Sequence, residues 1–207
     1  MSSKIQIIFH SMYGHIWQLA EAIAEGSREV GATGEMFQVP ETLPAEVVSK
    51  MGATDSKKTF AHIPIATVQK LAEADAIILG SPTRYGAATA EMRAFLDSTG
   101  SLWTSGALIG KVGSSFTSTA SQHGGQETTL FSLSTFFFHM GMLVAGVPYS
   151  ARALLNVEEV SGGSPYGAST VAGARGERHI TANEREVARA QGRHVALIAS
   201  KLSAETR

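Results

Sequence analysis

Ile5-Gln6-Ile7-Ile8-Phe9-His10-Ser11-Met12-Tyr13-Gly14-His15-Ile16 reads as a buried strand running through a short hydroxyl- and glycine-bearing turn into a helix. After the turn, Ile16, Leu19, Ala20, Ile23 and Val30 recur at helical spacing, which predicts an amphipathic helix starting near His15. A strand feeding a helix N-terminus in this way leaves backbone N–H groups unpaired at the positive end of the helix dipole, an arrangement suited to an anion such as phosphate. No Lys or Arg occurs between Gln6 and Ser27, so a phosphate here would be held by N–H groups and hydroxyls. Neither the P-loop pattern nor the dinucleotide glycine fingerprint is present. By itself the turn fits a phosphate site and an ordinary connection in which Ser11 caps the helix about equally well.

Outward from this stretch, strand and helix alternate. Strands are predicted at 4–9, 35–39, 76–80, 111–117 and 142–147, and helices at 16–30, 67–74, around Met92-Phe95-Leu96, at 126–139 and over Val187–Leu202. The continuous apolar run Ala76-Ile77-Ile78-Leu79-Gly80 suits a central parallel strand covered on both faces. The pattern is that of an α/β fold, a five-stranded parallel sheet between helical layers, with its ligand beyond the strand C-termini. At 207 residues and 43% hydrophobic content a single domain is expected, with long excursions at about 40–64 and 150–183.

Composition narrows the function. A net charge of −1 gives no pull toward nucleic acid. The absence of cysteine excludes thiolate catalysis and Cys-ligated metal, and no run such as Met142–Val147 is long enough to span a membrane. The strand signal beginning at Lys4 leads to the expectation of a soluble, cytoplasmic protein without a signal peptide. His10, His62, His123, His179 and His194 show no ligand spacing, so no metal is expected, and no nucleophile elbow supports a hydrolase.

Three loops should meet at one sheet edge. They are Ser11–His15, then Ser81-Pro82-Thr83-Arg84-Tyr85-Gly86-Ala87, then Ser118-Thr119-Ala120-Ser121-Gln122-His123-Gly124-Gly125. Small, hydroxyl and glycine residues let the backbone approach a ligand closely, and Arg84 and Tyr85 add a charge and an aromatic face. A planar cofactor with a phosphate tail would use all three. From the residues alone, Arg84 fits an electrostatic role and a surface ion pair equally. Tyr85, Trp103 and His139 fit packing at least as well as ligand contact.

The motifs Ser-Met-Tyr-Gly-His-Ile (11–16), Ser-Pro-Thr-Arg-Tyr-Gly (81–86), Gly-Gly-Gln-Glu (124–127) and Gly-Gly-Ser-Pro-Tyr-Gly-Ala-Ser-Thr-Val-Ala-Gly (162–173) resemble the WrbA family of flavodoxin-like NAD(P)H:quinone oxidoreductases. The resemblance runs from about Lys4 to Leu202. It implies a flavodoxin-like sheet of order 2-1-3-4-5, an FMN cofactor, NADH or NADPH as reductant, a quinone substrate and a homotetramer built as a dimer of dimers. It further implies that Ser11, Met12, Tyr13, Gly14, His15 and Ile16 hold the FMN phosphate. Pro82, Thr83, Arg84, Tyr85 and Gly86 would border the isoalloxazine, and Ser118, Thr119, Ala120, Ser121, Gln122, Gly124 and Gly125 would cover its pyrimidine side. His139 would reach the flavin of a neighbouring subunit, Trp103 would wall the substrate pocket, and Tyr13 would contact the nicotinamide cofactor. No side chain is expected as an obligatory acid or base. Two departures stand out: the 118–125 loop is one residue longer than the family's glycine-rich form, and Ala87 replaces a common Asn. Two other functions remain open, a one-electron carrier of the flavodoxin type and a regulatory binding protein on the same fold.

Overall fold

The computed structural model describes residues 2–205. Strands β1 (Lys4–Phe9), β2 (Thr33–Gln38), β3 (Ala76–Pro82), β4 (Val112–Thr119), β5 (Leu143–Val144) and β6 (Ser169–Val171) form one parallel sheet. Its order is β2-β1-β3-β4-β5, with β6 also paired to β4, so the expected flavodoxin-like order is borne out. The chain leaves β1 toward one edge and β3 toward the other, which opens a crevice between the C-terminal ends of β1 and β3.

Alternation along the strands divides the core in two. Ile5, Ile7 and Phe9 of β1 and Ala76 and Ile78 of β3 pack under α1 (His15–Glu29) and the closing helix. Ile8, Ile77 and Leu79 face the other layer with Met92, Phe95, Leu133 and Phe137. That layer comprises α5 (Ala90–Asp97), α6 (Gly100–Ser105) and α7 (Gln126–His139), which follow three short helices, α2 (Ala45–Lys50), α3 (Thr54–Thr59) and α4 (Val68–Leu71). The closing helix α8 spans Ala182–Glu205 and lies along α1. Residues 76–80 are fully buried, as strands covered on both faces must be.

The fifth strand differs from the expectation. The run 142–147 was expected to be continuous strand, yet only Leu143–Val144 pair with β4, at Val112 and Gly113. The Val147 N–H turns instead to the Pro165 carbonyl at 2.9 Å, and Pro148 has no N–H to offer a ladder. Met142, Ala145 and Val147 are apolar because they are buried, not because they extend the strand. The vacated half of the β4 edge is taken by β6, which pairs Thr117, Ser118 and Thr119 with Ser169, Thr170 and Val171. Buried Glu184 of α8 fixes this graft. One carboxylate oxygen accepts the Gly162 and Val171 N–H groups at 2.9 and 3.0 Å. The other accepts the Thr170 hydroxyl and the Thr181 N–H, both at 2.8 Å.

Candidate functional site

The turn after β1 settles the ambiguity over Ser11. Its Oγ accepts the Gly14 N–H at 3.1 Å and does not cap α1, whose N-cap is Gly14 at φ 90° with no side-chain acceptor. Only glycine takes that backbone conformation without strain. The first N–H groups of α1 therefore have no side-chain cap. In front of them lies a cavity of about 610 Å³, within the range of small-molecule and cofactor sites.

All three sequence-predicted loops contribute to this cavity. Ser11, Met12, Tyr13, His15 and Ile16 line it from the first; Gly14 is the cap behind them. Pro82, Thr83 and Arg84 line it from the second, and Ser118, Thr119 and Ala120 from the third. The second loop is a tight hairpin. Arg84 and Ala87 exchange backbone hydrogen bonds at 2.8 and 3.0 Å, with Tyr85 at φ 53° and Gly86 at φ 81° between them. Both central residues have positive φ, as a type I′ turn requires. Tyr85 pays for this with about 1 kcal/mol of backbone strain, and its ring is fully exposed. Thr83 stiffens the hairpin: its Oγ1 accepts the Gly86 N–H at 3.1 Å and the Thr129 hydroxyl at 2.8 Å.

Both long excursions fold onto the same cavity. Met12 packs against Val48 and Ala53, so α2 and the residue that opens α3 roof the Ser11–Ile16 turn, and Met51, Gly52 and Ser56 join the lining. Tyr13 donates its hydroxyl to the Met51 carbonyl at 3.2 Å. From the second excursion, the segment 172–176 adds to the lining beside His15 and Tyr13. The His15 ring nitrogen pairs with the Arg178 carbonyl at 2.8 Å. These added lining residues were not named from sequence, where only the unusual length of the excursions pointed to them.

A buried charged cluster lies behind the turn. His10 has one ring nitrogen 3.1 Å from the Thr89 hydroxyl and 3.8 Å from Glu91, and the other 3.4 Å from Glu41. Lys57 reaches Glu41 at 2.8 Å and donates to the Ser11 carbonyl at 3.3 Å, tying α3 to the turn. Burial lowers the His10 pKa against the opposing pull of Glu91 and Glu41, and burial likewise lowers that of His15. Burial also opposes ionisation of Glu41, but Lys57, the Leu43 N–H and His10 outweigh it and bring its pKa to about 2. His10, Glu41 and Glu91 were not grouped from sequence, because their proximity depends on three separate loops. Their ligand-type atoms lie within 4.8 Å of one another, and the Lys57 ammonium already occupies Glu41.

A family model described as NADPH-dependent FMN reductase matches residues 4–154. The chain belongs to that family. A curated relative, NAD(P)H dehydrogenase (quinone) of Trichlorobacter lovleyi, is 58% identical over 203 residues, covering 98% of this chain and all of the relative. The protein of the same name from Methanosarcina acetivorans is 54% identical over 205 residues, covering 97% and 98%. Among solved structures, a flavodoxin described as WrbA-like, from Agrobacterium tumefaciens, superposes with a TM-score of 0.63 at 25% identity over 97% of this chain and 99% of that one. The WrbA resemblance read from the motifs is thereby borne out.

Several residues assigned by family resemblance lie away from the cavity. Gln122 and Gly125 line a second recess of about 430 Å³ beside Thr128 and Ser164. Ser121 and Gly124 close the loop between the two recesses, with the Gly124 N–H on the Ser121 carbonyl at 3.2 Å. Tyr85 and Gly86 form the hairpin tip. Trp103 on α6 and His139 at the end of α7 are exposed and absent from the cavity lining. Exposed Ile109 lies close to both Gly106, just after α6, and Gly141, just after α7, and Phe138 and Leu143 on either side of Gly141 are exposed too.

Proposed function

We propose that this chain is an FMN-dependent oxidoreductase that transfers two electrons from NAD(P)H to a quinone, acting as a single-domain cytoplasmic protein. The observation that carries this reading is the uncapped N-terminus of α1 opening into the cavity at the crossover of strand order. When bound, FMN supplies the redox chemistry, taking up electrons from NAD(P)H and passing them to a quinone in a ping-pong cycle. The chain's residues bind and orient. The Ser11 hydroxyl and the N–H groups of the Ser11–Ile16 turn receive the phosphate. Pro82, Thr83 and Ser118–Ala120 border the ring. Arg84 holds a positive charge near the ring edge, where negative charge develops on reduction. Tyr13 offers a surface to the nicotinamide, and the quinone follows into the same space.

Trp103 and His139 enter this reading only across a subunit boundary. Exposed Ile109, Phe138 and Leu143 beside them support burial against a second copy, in keeping with the proposed homotetramer. Among the described residues no helix is long and apolar enough to cross a membrane.

The test is an absorbance spectrum of the purified chain with FMN, followed by anaerobic NADH or NADPH and then benzoquinone. Flavin bands that bleach with the nicotinamide and return with quinone are expected, without an accumulating semiquinone. Bound flavin that neither nicotinamide reduces would favour an electron carrier, and absence of flavin binding would refute the reading.

A further inference from the structure

We propose that Arg175 is a phosphate-directed cation of this pocket, selecting ligands that carry a phosphomonoester; this rests on the cofactor reading above. The phosphate turn has no cation of its own between Gln6 and Ser27. The fold brings four cations to its neighbourhood, and three are already engaged. Lys57 is paired with Glu41 and bonded to the Ser11 carbonyl. Arg178 donates both terminal nitrogens to backbone, at Val171 and Val160, each at 2.7 Å. Arg84 donates to its own neighbour's carbonyl, at Thr83, at 2.9 Å, and belongs to the hairpin after β3.

Arg175 differs. Its guanidinium has no hydrogen bond or ion pair among the described residues, and the residue lines the cavity. It occupies the third position of a tight turn closed by the Gly176 N–H on the Gly173 carbonyl at 3.1 Å. That turn rests on the phosphate turn itself: a Cβ added at Gly176 would lie 3.4 Å from the His15 ring and 3.9 Å from Tyr13 Cβ. The neighbouring carboxylate, Glu177, is turned back onto backbone and accepts the Arg175 N–H at 2.8 Å while folding over Gly173. Glu177 thus holds the loop's shape and attracts the Arg175 charge without a hydrogen bond or ion pair to its guanidinium, while Arg175 stays exposed in the cavity lining.

An arginine placed so recognises a phosphate dianion by charge-assisted hydrogen bonds. Two sources carry that group, the 5′-phosphate of FMN and the 2′-phosphate of NADPH. The test titrates FMN and riboflavin into the flavin-free full chain, and separately compares KM for NADPH and NADH in the flavin-loaded protein. Wild type, Arg175→Gln and Arg175→Lys are measured in parallel. If the flavin phosphate is the target, Arg175→Gln weakens FMN about tenfold and leaves riboflavin unchanged. If the 2′-phosphate is the target, the KM for NADPH rises by a similar factor while that for NADH holds. In either case Arg175→Lys recovers part of the loss, and the difference shrinks as salt is raised. An Arg175→Gln protein with unchanged FMN-to-riboflavin and NADPH-to-NADH ratios overturns the proposal and leaves the cofactor reading intact. A wild-type chain that binds no FMN overturns both.

Discussion

Replacing Gly192 by alanine should destabilise this protein, although the same change in a helix interior normally stabilises it by about 1 kcal/mol. Gly192 lies on α8 against α1, and a Cβ there would sit 2.0 Å from the Ile23 carbonyl oxygen, 2.9 Å from its carbon and 3.0 Å from the Ser27 nitrogen. Ordinary contact begins near 3.4 Å, so α1 and α8 would have to part by about 1 Å. The obstacle is helical backbone, which cannot rotate aside. A Cβ added at Gly26 would likewise lie 2.0 Å from the Arg189 carbonyl oxygen of the opposite helix, so the close approach of the two helices depends on glycine at two points. Parting them loosens Ile23, Val187 and Val195 in the core and weakens the Ser27 hydroxyl bond to the Gly192 carbonyl. Overpacking of this kind costs about 1–3 kcal/mol and more when backbone must move. Taking the upper end of that range against the propensity gain, a net loss of about 2 kcal/mol is expected, or a fall in Tm of about 4–8 °C for a chain of this size. Urea and thermal unfolding followed by circular dichroism measure it. Gly100→Ala is the control: it opens α6 with nothing within 4 Å of its Cβ, and should be neutral or slightly stabilising. A Gly192→Ala protein as stable as wild type, or two variants shifted alike, would refute the steric reasoning.

Three further predictions concern charge and the site. His10, His15 and His194 all have pKa values lowered from 6.5 by burial, so the unfolded chain binds more protons than the fold just below that pH. Stability should therefore fall as pH drops from 6.5, and fall again as Glu41 protonates between 4.5 and about 2. Urea midpoints that stay flat from pH 8 to pH 5 would contradict the histidine part. Glu184→Gln turns an amide NH₂ toward backbone and hydroxyl donors. It should cost about 2–4 kcal/mol and expose the 161–181 segment to proteolysis, with resistance equal to wild type as the opposing result. Arg84→Ala should slow quinone reduction more than it weakens FMN binding; equal turnover in the two proteins would remove Arg84 from the electrostatic role.

The local code of this chain carried a great deal. The continuously buried run Ile5–Phe9, the unbroken apolar run at 76–80 and the 3.6-residue spacing after His15 are local signals of strand, strand and helix, and each became the element it implied. The geometry of the Ser11–Ile16 turn was legible for the same reason: its residues are consecutive, and Gly14 supplies the positive φ on the spot. Apolar content without a period was ambiguous, which is why 142–147 gave only a two-residue strand and why Ser169–Val171 passed unnoticed beside β4.

What tertiary structure alone decided is how distant segments meet. The roof of α2 over Met12, the Arg175 turn against His15 and the grouping of His10, Glu41 and Glu91 each join residues far apart in the chain. No local propensity encodes such contacts, because they form only when burial of separate apolar faces brings their loops together. Sequence determined the order of the main strands and the turn that opens onto the cavity; packing of the two excursions determined the cavity's walls and the charges around it.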